Sequence, residues 1–542
     1  MKSIFFNGKF YVERGHFEEA VLIEDGLFKV VGKTEEILAM ADADTEKIDC
    51  NGKTVIPGLN DSHQHLLLYA MNKNEVYTED VTSVEHLVEV CKKFMEENPE
   101  KVVNGMHSIG WNQDTFTGEK RFPTKEDLDQ ISTEIPIVLE RICGHIASTN
   151  SKAIEVLGVT PETRVAGGEI RLGEDGQPNG IFTENALIFA NKAVPSGSKE
   201  FKQKLLKEAM EYAVSVGLTT VQSNDSGSYW CKDEDKFSVF EDFYKEGKGL
   251  LRYHSQVCFD SPEDFEKCLT EGEYARYRKE GGYGKDSWLT LGPLKLFKDG
   301  SLGARTAITD SYVGQPDNHG VEAISIEEAD RYCEIAKKYG VQVVTHCIGD
   351  IASDEIIGSY EKAFIDGENK LRHSLVHCQL TTEKLLDRIV EGDILVQAQP
   401  VFLGFDMSIL EDTCGKEMAE TSYNFGTLLK RGAHLSYGTD CPVEDCNPFP
   451  NIYMAVTRKN MEGKPEGGFY PKECVDVETA IDAYTVESAY CEFKEDVKGR
   501  IKPGFYADMV VIDKDIFTCD PLEIKDIKPE MTVVGGKIVY KK

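Results

Sequence analysis

Short apolar runs recur along most of this chain, separated by longer charged stretches with helical periodicity. That alternation is expected of βα units around a parallel sheet. Runs near Thr54 to Pro57, Leu218 to Gln222, Leu251 to Val257, Leu289 to Phe297, Val341 to Thr345, Ser374 to Val376, Ile394 to Gln397 and His434 to Tyr437 predict core strands. Amphipathic stretches such as Lys199 to Ser215 and Ile326 to Tyr339 predict covering helices. About eight such runs suit an α/β protein built as a (β/α)8 barrel, whose active sites lie at the C-terminal ends of the strands.

The texture changes at both ends. Ser3 to Phe6, Phe10 to Val12, Ala20 to Glu24 and Phe28 to Val31 read as short strands, the last two around Asp25-Gly26. Gly504 to Asp513 and Met531 to Tyr540 repeat the pattern, so the two ends predict one small β domain into which the middle is inserted. The stretch from Leu66 to Val216 is too long for one crossover and carries its own Gly-rich and aromatic segments, which predicts a cap. The expected layout is a β-sandwich from 1–53 and 500–542, a barrel from 54–69 and 201–499, and a cap or substrate insertion from 70–200.

Composition narrows the function. The 542 residues hold 61 Lys plus Arg against 94 Asp plus Glu, a net charge of −33, which opposes binding to nucleic acid or anionic membranes. The opening Met1-Lys2-Ser3-Ile4-Phe5-Phe6-Asn7-Gly8 lacks the apolar core of a signal peptide, and no run approaches the roughly 20 apolar residues of a membrane helix. The expectation is a soluble cytoplasmic protein with a small-molecule substrate. Fifteen cysteines scattered without a CxxC pair read as reduced, packed thiols, with Cys441 and Cys446 notable for their place beside a candidate ligand. A homodimer fits the general preference for symmetric pairs.

The candidate chemistry begins at Val55-Ile56-Pro57-Gly58-Leu59-Asn60-Asp61-Ser62-His63-Gln64-His65. In an extended segment the HxH spacing puts both imidazoles on one face, able to grip one cation. His346 follows the run Val341 to Thr345, His377 follows Ser374 to Val376, and Asp440 follows Ser436 to Thr439, each where a strand hands over to its loop. One such histidine alone is an ordinary core residue; together with His63 and His65 they read as a metal set. Lys295 is flanked by apolar residues inside a strand, where a lysine is costly unless paired or chemically altered. Reaction with CO2 would make it a carbamate able to bridge two cations. Lys298 points to the opposite face and is the poorer choice.

This arrangement resembles the amidohydrolase superfamily: HxH after the first barrel strand, lysine after the fourth, histidines after the fifth and sixth, aspartate after the eighth. The run Lys295 to Ala307, with Asp299-Gly300-Ser301-Leu302-Gly303, is similar to the signature of its family 3, the YtcJ-like branch that includes N-substituted formamide deformylases. Gly110-Trp111, Pro123-Thr124 with Asp127-Leu128-Asp129, Arg141-Ile142-Cys143-Gly144-His145, Gly180 to Glu184 and Gly504 to Asp508 extend the likeness from end to end. The resemblance implies a distorted (β/α)8 TIM-like barrel with a composite β-sandwich, and one or two Zn2+ or similar ions. The family often has a glutamate just before the strand-six histidine, where this chain has Val376.

From this ligand set follows a hydrolase of amide-like C–N bonds, with Asp440 taking a proton from the water and passing it to the leaving amine. His63, His65, Lys295, His346, His377 and Asp440 are the expected metal ligands, Lys295 as N6-carboxylysine if the site is binuclear. Trp111, Arg141 and His145 are expected to line the substrate pocket, with Glu184 a further candidate. Two other enzymes of the superfamily are alternatives, a deaminase or a lactone-type hydrolase. A deaminase normally carries HxxE after strand five, whereas His346-Cys347-Ile348-Gly349 stands here. A non-catalytic scaffold would be expected to lose ligands, and a glycosidase would need paired carboxylates at strand ends.

Overall fold

The computed structural model describes residues 2–142, 146–165, 168–195, 197–227, 235–272, 274–276, 288–303 and 305–542. Two compact units are present, one of Met1–Leu67 with Leu206–Lys542 and one of Leu68–Leu205.

The first unit holds an eight-stranded parallel sheet: β1 (Leu59–Gln64), β2 (Leu218–Ser226), β3 (Arg252–Val257), β4 (Leu289–Phe297), β5 (Val343–Cys347), β6 (Ser374–His377), β7 (Leu395–Ala398) and β8 (Leu435–Tyr437). Spatial order follows chain order, as in a (β/α)8 barrel. Register shifts interrupt the β1–β2, β2–β3 and β3–β4 ladders, which distorts the barrel on that side. The nearly closed seam between β1 and β8 is stitched just beyond the ladder. His63 O accepts from Asp440 N at 2.8 Å, and Cys441 O accepts from His65 N at 2.7 Å. Gly438 is required at this seam, because a Cβ there would stand 2.6 Å from His63 N. The helices are capped as their sequences dictate: Ile326–Tyr339 starts on Ser325, whose side chain accepts from Glu328 N, and ends on Gly340 at φ +66.

The run Thr54–Pro57 is not a barrel strand as its apolar character predicted. It pairs in parallel with Lys9–Glu13 and antiparallel with Met509–Ile512, inside the six-stranded sheet completed by His16–Glu18, Pro529–Val534 and Lys537–Lys541. The apolar run continues without a break into β1, and the chain changes sheets at Gly58, where Thr219 leaves no room for a Cβ. A four-stranded sheet of Lys2–Phe6, Ala20–Glu24, Leu27–Gly32 and Glu46–Asp49 supplies the other layer. Phe5, Val21, Ile23 and Phe28 from one layer and Phe10, Val55, Met509 and Val533 from the other form one core, so both termini build a single sandwich.

The second unit, inserted after β1, is a five-stranded sheet in the order Gly168–Leu172, Pro178–Glu184, Ile146–Thr149, Ile137–Arg141, Met106–Trp111, with apolar cores of its own. No helix among the described residues is long and apolar enough to cross a membrane. The described cysteines are free thiols.

Candidate metal centre

The barrel strands bring three histidines and Asp440 together at one end. His63 lies in β1 and His65 just beyond it, His377 closes β6, and Asp440 follows β8. Asp440 Oδ1 stands 3.4 Å from His63 Nε2 and 3.2 Å from His65 Nε2, and Oδ2 stands 4.0 Å from His377 Nε2. Donor atoms of His63, His377 and Asp440 all lie within 4.8 Å of one another. A tetrahedral ion with bonds of about 2.0 Å separates its ligands by about 3.3 Å, so the closer spacings suit a shared cation. His377 and Asp440 sit on left-handed backbone, at φ +76 and +54, a strained conformation that neighbouring hydrogen bonds must hold.

The far side of each ring decides what the near side can do. Gln256 Oε1 is 2.8 Å from His63 Nδ1, Asn224 O is 2.7 Å from His65 Nδ1, and Gln399 Oε1 is 2.8 Å from His377 Nδ1. The two glutamine amides are themselves oriented, Gln256 Nε2 donating to Ser62 O at 3.2 Å and Gln399 Nε2 to Gln397 O at 3.0 Å. All three partners are acceptors, so each Nδ1 carries a proton and each imidazole, when neutral, turns an Nε2 lone pair toward Asp440. Lone pairs facing a carboxylate repel unless a proton or a cation lies between them. This donor set therefore fits a divalent ion.

Electrostatics keep most of the imidazoles neutral. Burial, and then the Lys295 charge, push His63 well below its ordinary range and His346 to about 3. Burial does the same to His377, followed by the neighbouring His346. His65 is raised instead: burial opposes its charge, but the hydrogen bond and charge of Asp440 outweigh it. His346 is turned elsewhere, with Nε2 at 3.5 Å from both Gly300 O and Asp299 Oδ1 and its ring 4.4 Å from that of His377.

The two lysines of β4 and its loop differ sharply. Lys298 is paired at 2.7 Å with both Glu322 and Glu355. Lys295 is 1% exposed, makes no ion pair among the described residues, and donates at 3.2 Å to the carbonyl of its neighbour Leu296. Burial brings its pKa down to about 8, against the pull of Cys258 and Asp440.

In the second unit, Trp111 corrects the expectation that it meets a ligand. It is fully buried among Val84, Leu87, Leu128 and Leu139, and its indole donates to Leu139 O at 2.8 Å, so the side chain belongs to that unit's core. Arg141 is engaged at 2.8–2.9 Å by Gln113, Asn112 and Asp114. His145 lies outside the described residues. Glu184 ends a strand exposed, at φ +51.

Sequence reasoning missed Gln256, Gln399 and Asp61. The buried Asp61 carboxylate accepts from His63 N, Thr439 N and Thr439 Oγ1, tying the first ligand strand to the loop bearing Asp440. Asp61 lies two positions before His63, the one signal that could have flagged it. Burial raises its pKa to about 7. Asp299, quoted only as part of a signature, accepts from Ile348 N and Gly349 N and from Thr306 Oγ1, with a pKa raised by burial to about 6.

Comparison with known proteins adds the family. A model described as the amidohydrolase family matches residues 46–540. The chain is 30% identical over its full length, and the full length of the relative, to YtcJ of Bacillus subtilis (strain 168), named as an amidohydrolase. It is 26% identical to an N-substituted formamide deformylase of Arthrobacter pascens, covering 98% of this chain and 96% of the relative. An uncharacterized metal-dependent hydrolase from Pyrococcus horikoshii OT3 superposes with a TM-score of 0.79 at 26% identity, over 96% of this chain and 99% of the other.

Proposed function

This chain belongs to the amidohydrolase family, and on that premise we propose that it hydrolyses the C–N bond of a small amide or formamide at a divalent-metal centre. The observation that carries the reading is the set of three imidazoles, each anchored through Nδ1 and each turned by Nε2 toward the Asp440 carboxylate. His63, His65 and Asp440 would hold one Zn2+, and His346 and His377 a second. Lys295 would bridge them as N6-carboxylysine. Bound there, the metal acidifies water and polarises a carbonyl.

The chain's own residues supply the proton chemistry. Asp440 accepts the proton of the attacking water and returns it to the amine nitrogen as the C–N bond breaks. Gln256, Gln399 and the Asn224 carbonyl hold the imidazoles in one tautomer throughout. Burial of Lys295 favours its neutral amine, the form that adds CO2 and releases a proton. The full-length likeness to a formamide deformylase supports the bond class, and Cys347-Ile348-Gly349 after His346 stands where a deaminase normally carries HxxE.

The test is metal content by plasma mass spectrometry on freshly purified protein and on Lys295→Ala, with N-formyl and N-acetyl amines assayed in parallel. About two equivalents falling to one or none in the variant, together with amine release, is the expected result. One equivalent unchanged by the variant would sink the bridged site, and absence of amine release from every amide tried would sink the bond class.

A further inference from the structure

At the N-terminal end of the barrel, the starts of β3 and β4 meet two hairpin turns of the sandwich around a cleft of about 420 Å³. Arg252, Trp288, Tyr506, Gly535 and Lys537 are among its lining residues. A second hollow of about 340 Å³ shares Trp288 and Lys537 and continues along Tyr244 and Leu289, so the two flank one indole. Lys295 lies seven residues beyond Trp288 on β4, about 23 Å at the usual rise of a strand, so the cleft is separate from the metal centre.

Short contacts gather these groups around Trp288. Its carbonyl accepts from Tyr253 N at 2.7 Å, which ties it to β3. The Arg252 guanidinium lies 5.3 Å from the indole and 4.0 Å from the Tyr506 ring, and Lys537 Nζ lies 5.8 Å from the indole. Asp508 fixes that guanidinium, accepting from Nε at 2.7 Å and Nη2 at 3.1 Å, and only 8% of the Arg252 side chain is exposed. Gly535 N donates to the same carboxylate at 2.7 Å. Gly535 stands at φ +55, and a Cβ there would come within 3.0 Å of the indole. The Gly535-Gly536 turn therefore packs directly on the ring edge. Gly26, at φ +79 in the other turn, leaves room for the Gly535 carbonyl, from which a Cβ would stand 3.1 Å.

Three donors on these lining residues make no hydrogen bond among the described residues: Arg252 Nη1, Trp288 Nε1 and Lys537 Nζ. The carboxylates around them are engaged elsewhere, Asp508 with Arg252 and Gly535, and Glu241 with Lys245 at 2.6 Å and Arg276 at 2.7 Å. Asp25 also lines the cleft and offsets part of the Lys537 charge. We infer that the cleft is an accessory binding site for a small aromatic monocarboxylate, with its carboxylate on these donors and its ring against Trp288. Unanswered donors, two of them cationic, call for an oxyanion. The net charge of −33 penalises every further negative charge on a ligand, which favours a carboxylate over a phosphate ester. Trp288, Tyr244 and Leu289 supply the apolar surface that holds a ring. This site is independent of the hydrolase reading.

The experiment is titration calorimetry of the zinc-reconstituted protein with 2-naphthoate, the uncharged 2-naphthalenemethanol and 2-naphthyl phosphate. The carboxylate should bind with a Kd of about 100 μM and the alcohol about tenfold more weakly. Lys537→Gln, at an exposed position, should weaken the carboxylate about fivefold and leave the alcohol unchanged. Trp288→Leu should weaken both about tenfold. Saturating acetohydroxamate, a chelator of metal centres, should leave the affinity for 2-naphthoate as it was. No binding of 2-naphthoate below about 1 mM would overturn the inference, as would equal affinity for the alcohol or tighter binding of the phosphate. Indifference to both substitutions, or displacement by acetohydroxamate, would place the ligand elsewhere and overturn it too.

Discussion

The two ends of the barrel both bury polar residues, but they close their accounts differently. At the N-terminal end Glu492 pairs with Lys498 and accepts from Asn60 Nδ2 at 2.7 Å, Lys498 Nζ donates to Thr220 at 3.3 Å, and His254 Nδ1 meets Thr290 Oγ1 at 2.8 Å. Gln222 and Gln342 reach backbone carbonyls of Ser488 and Cys491. Anion and cation there are paired with each other, and of the groups named only His254 Nε2 is left without a hydrogen-bond partner among the described residues. At the C-terminal end three imidazole Nε2 atoms and a carboxylate converge, and the buried Lys295 makes no ion pair among the described residues. Burial of polar groups is common to both ends. What marks a site is a donor set that only something from outside can complete.

Substituting one member at each end sharpens that contrast. Asp440→Asn should lower turnover by about 10³-fold or more, with metal content by mass spectrometry largely retained. Persisting activity would remove Asp440 from the proton-acceptor role. Glu492→Gln should behave in the opposite way, losing about 3 kcal/mol or more in urea unfolding because Lys498 is left buried without its partner, while activity per folded molecule stays near normal. Strong loss of activity in a folded Glu492→Gln protein would mean the two ends are not independent.

A smaller effect is expected from the far side of the rings. Gln399→Leu removes the acceptor for His377 Nδ1 and should weaken metal affinity by about 10- to 100-fold, read by competition with a chelating dye. A further test, in the second unit, uses a histidine whose charge is needed. His107, held between Glu75 at 3.0 Å and Glu140 at 2.9 Å, is raised to about 10: burial opposes its charge, but the two carboxylates outweigh it. With a folded pKa above the unfolded value, its contribution is full below about 6.5 and is lost as pH rises toward 10, at up to about 1.4 kcal/mol per pH unit. His107→Gln should flatten that dependence in denaturant titrations across the same window.

Much of this was legible in the chain. The apolar runs that place β2 to β8 are bounded by charged helical stretches, so periodicity sufficed, and the helices Lys199–Ser215 and Ile326–Tyr339 carry their amphipathic pattern openly. His63 and His65 stand out because a two-residue spacing in a strand has few other uses. The handover at Gly58 was not legible, since apolar character is continuous from Val55 to Leu59 and only the crowding by Thr219 reveals the change of sheet. Nor were Gln256 and Gln399: a glutamine in a strand or just beyond its end gives no sequence signal, and its role depends on which carbonyl fixes its amide. Trp111 misled because an aromatic beside glycine reads alike in a pocket and in a core.

The strand Thr54–Pro57 has a further consequence for synthesis. Its neighbour on one side, Lys9–Glu13, is made before it, but its neighbour on the other, Met509–Ile512, follows only after the whole barrel has been made. At ~5–20 residues per second, the nascent amino-terminal layer waits tens of seconds with an open, apolar edge. Only a deletion that reaches back through Met509–Ile512 would leave that edge unpaired for good, and such a chain should go to aggregation.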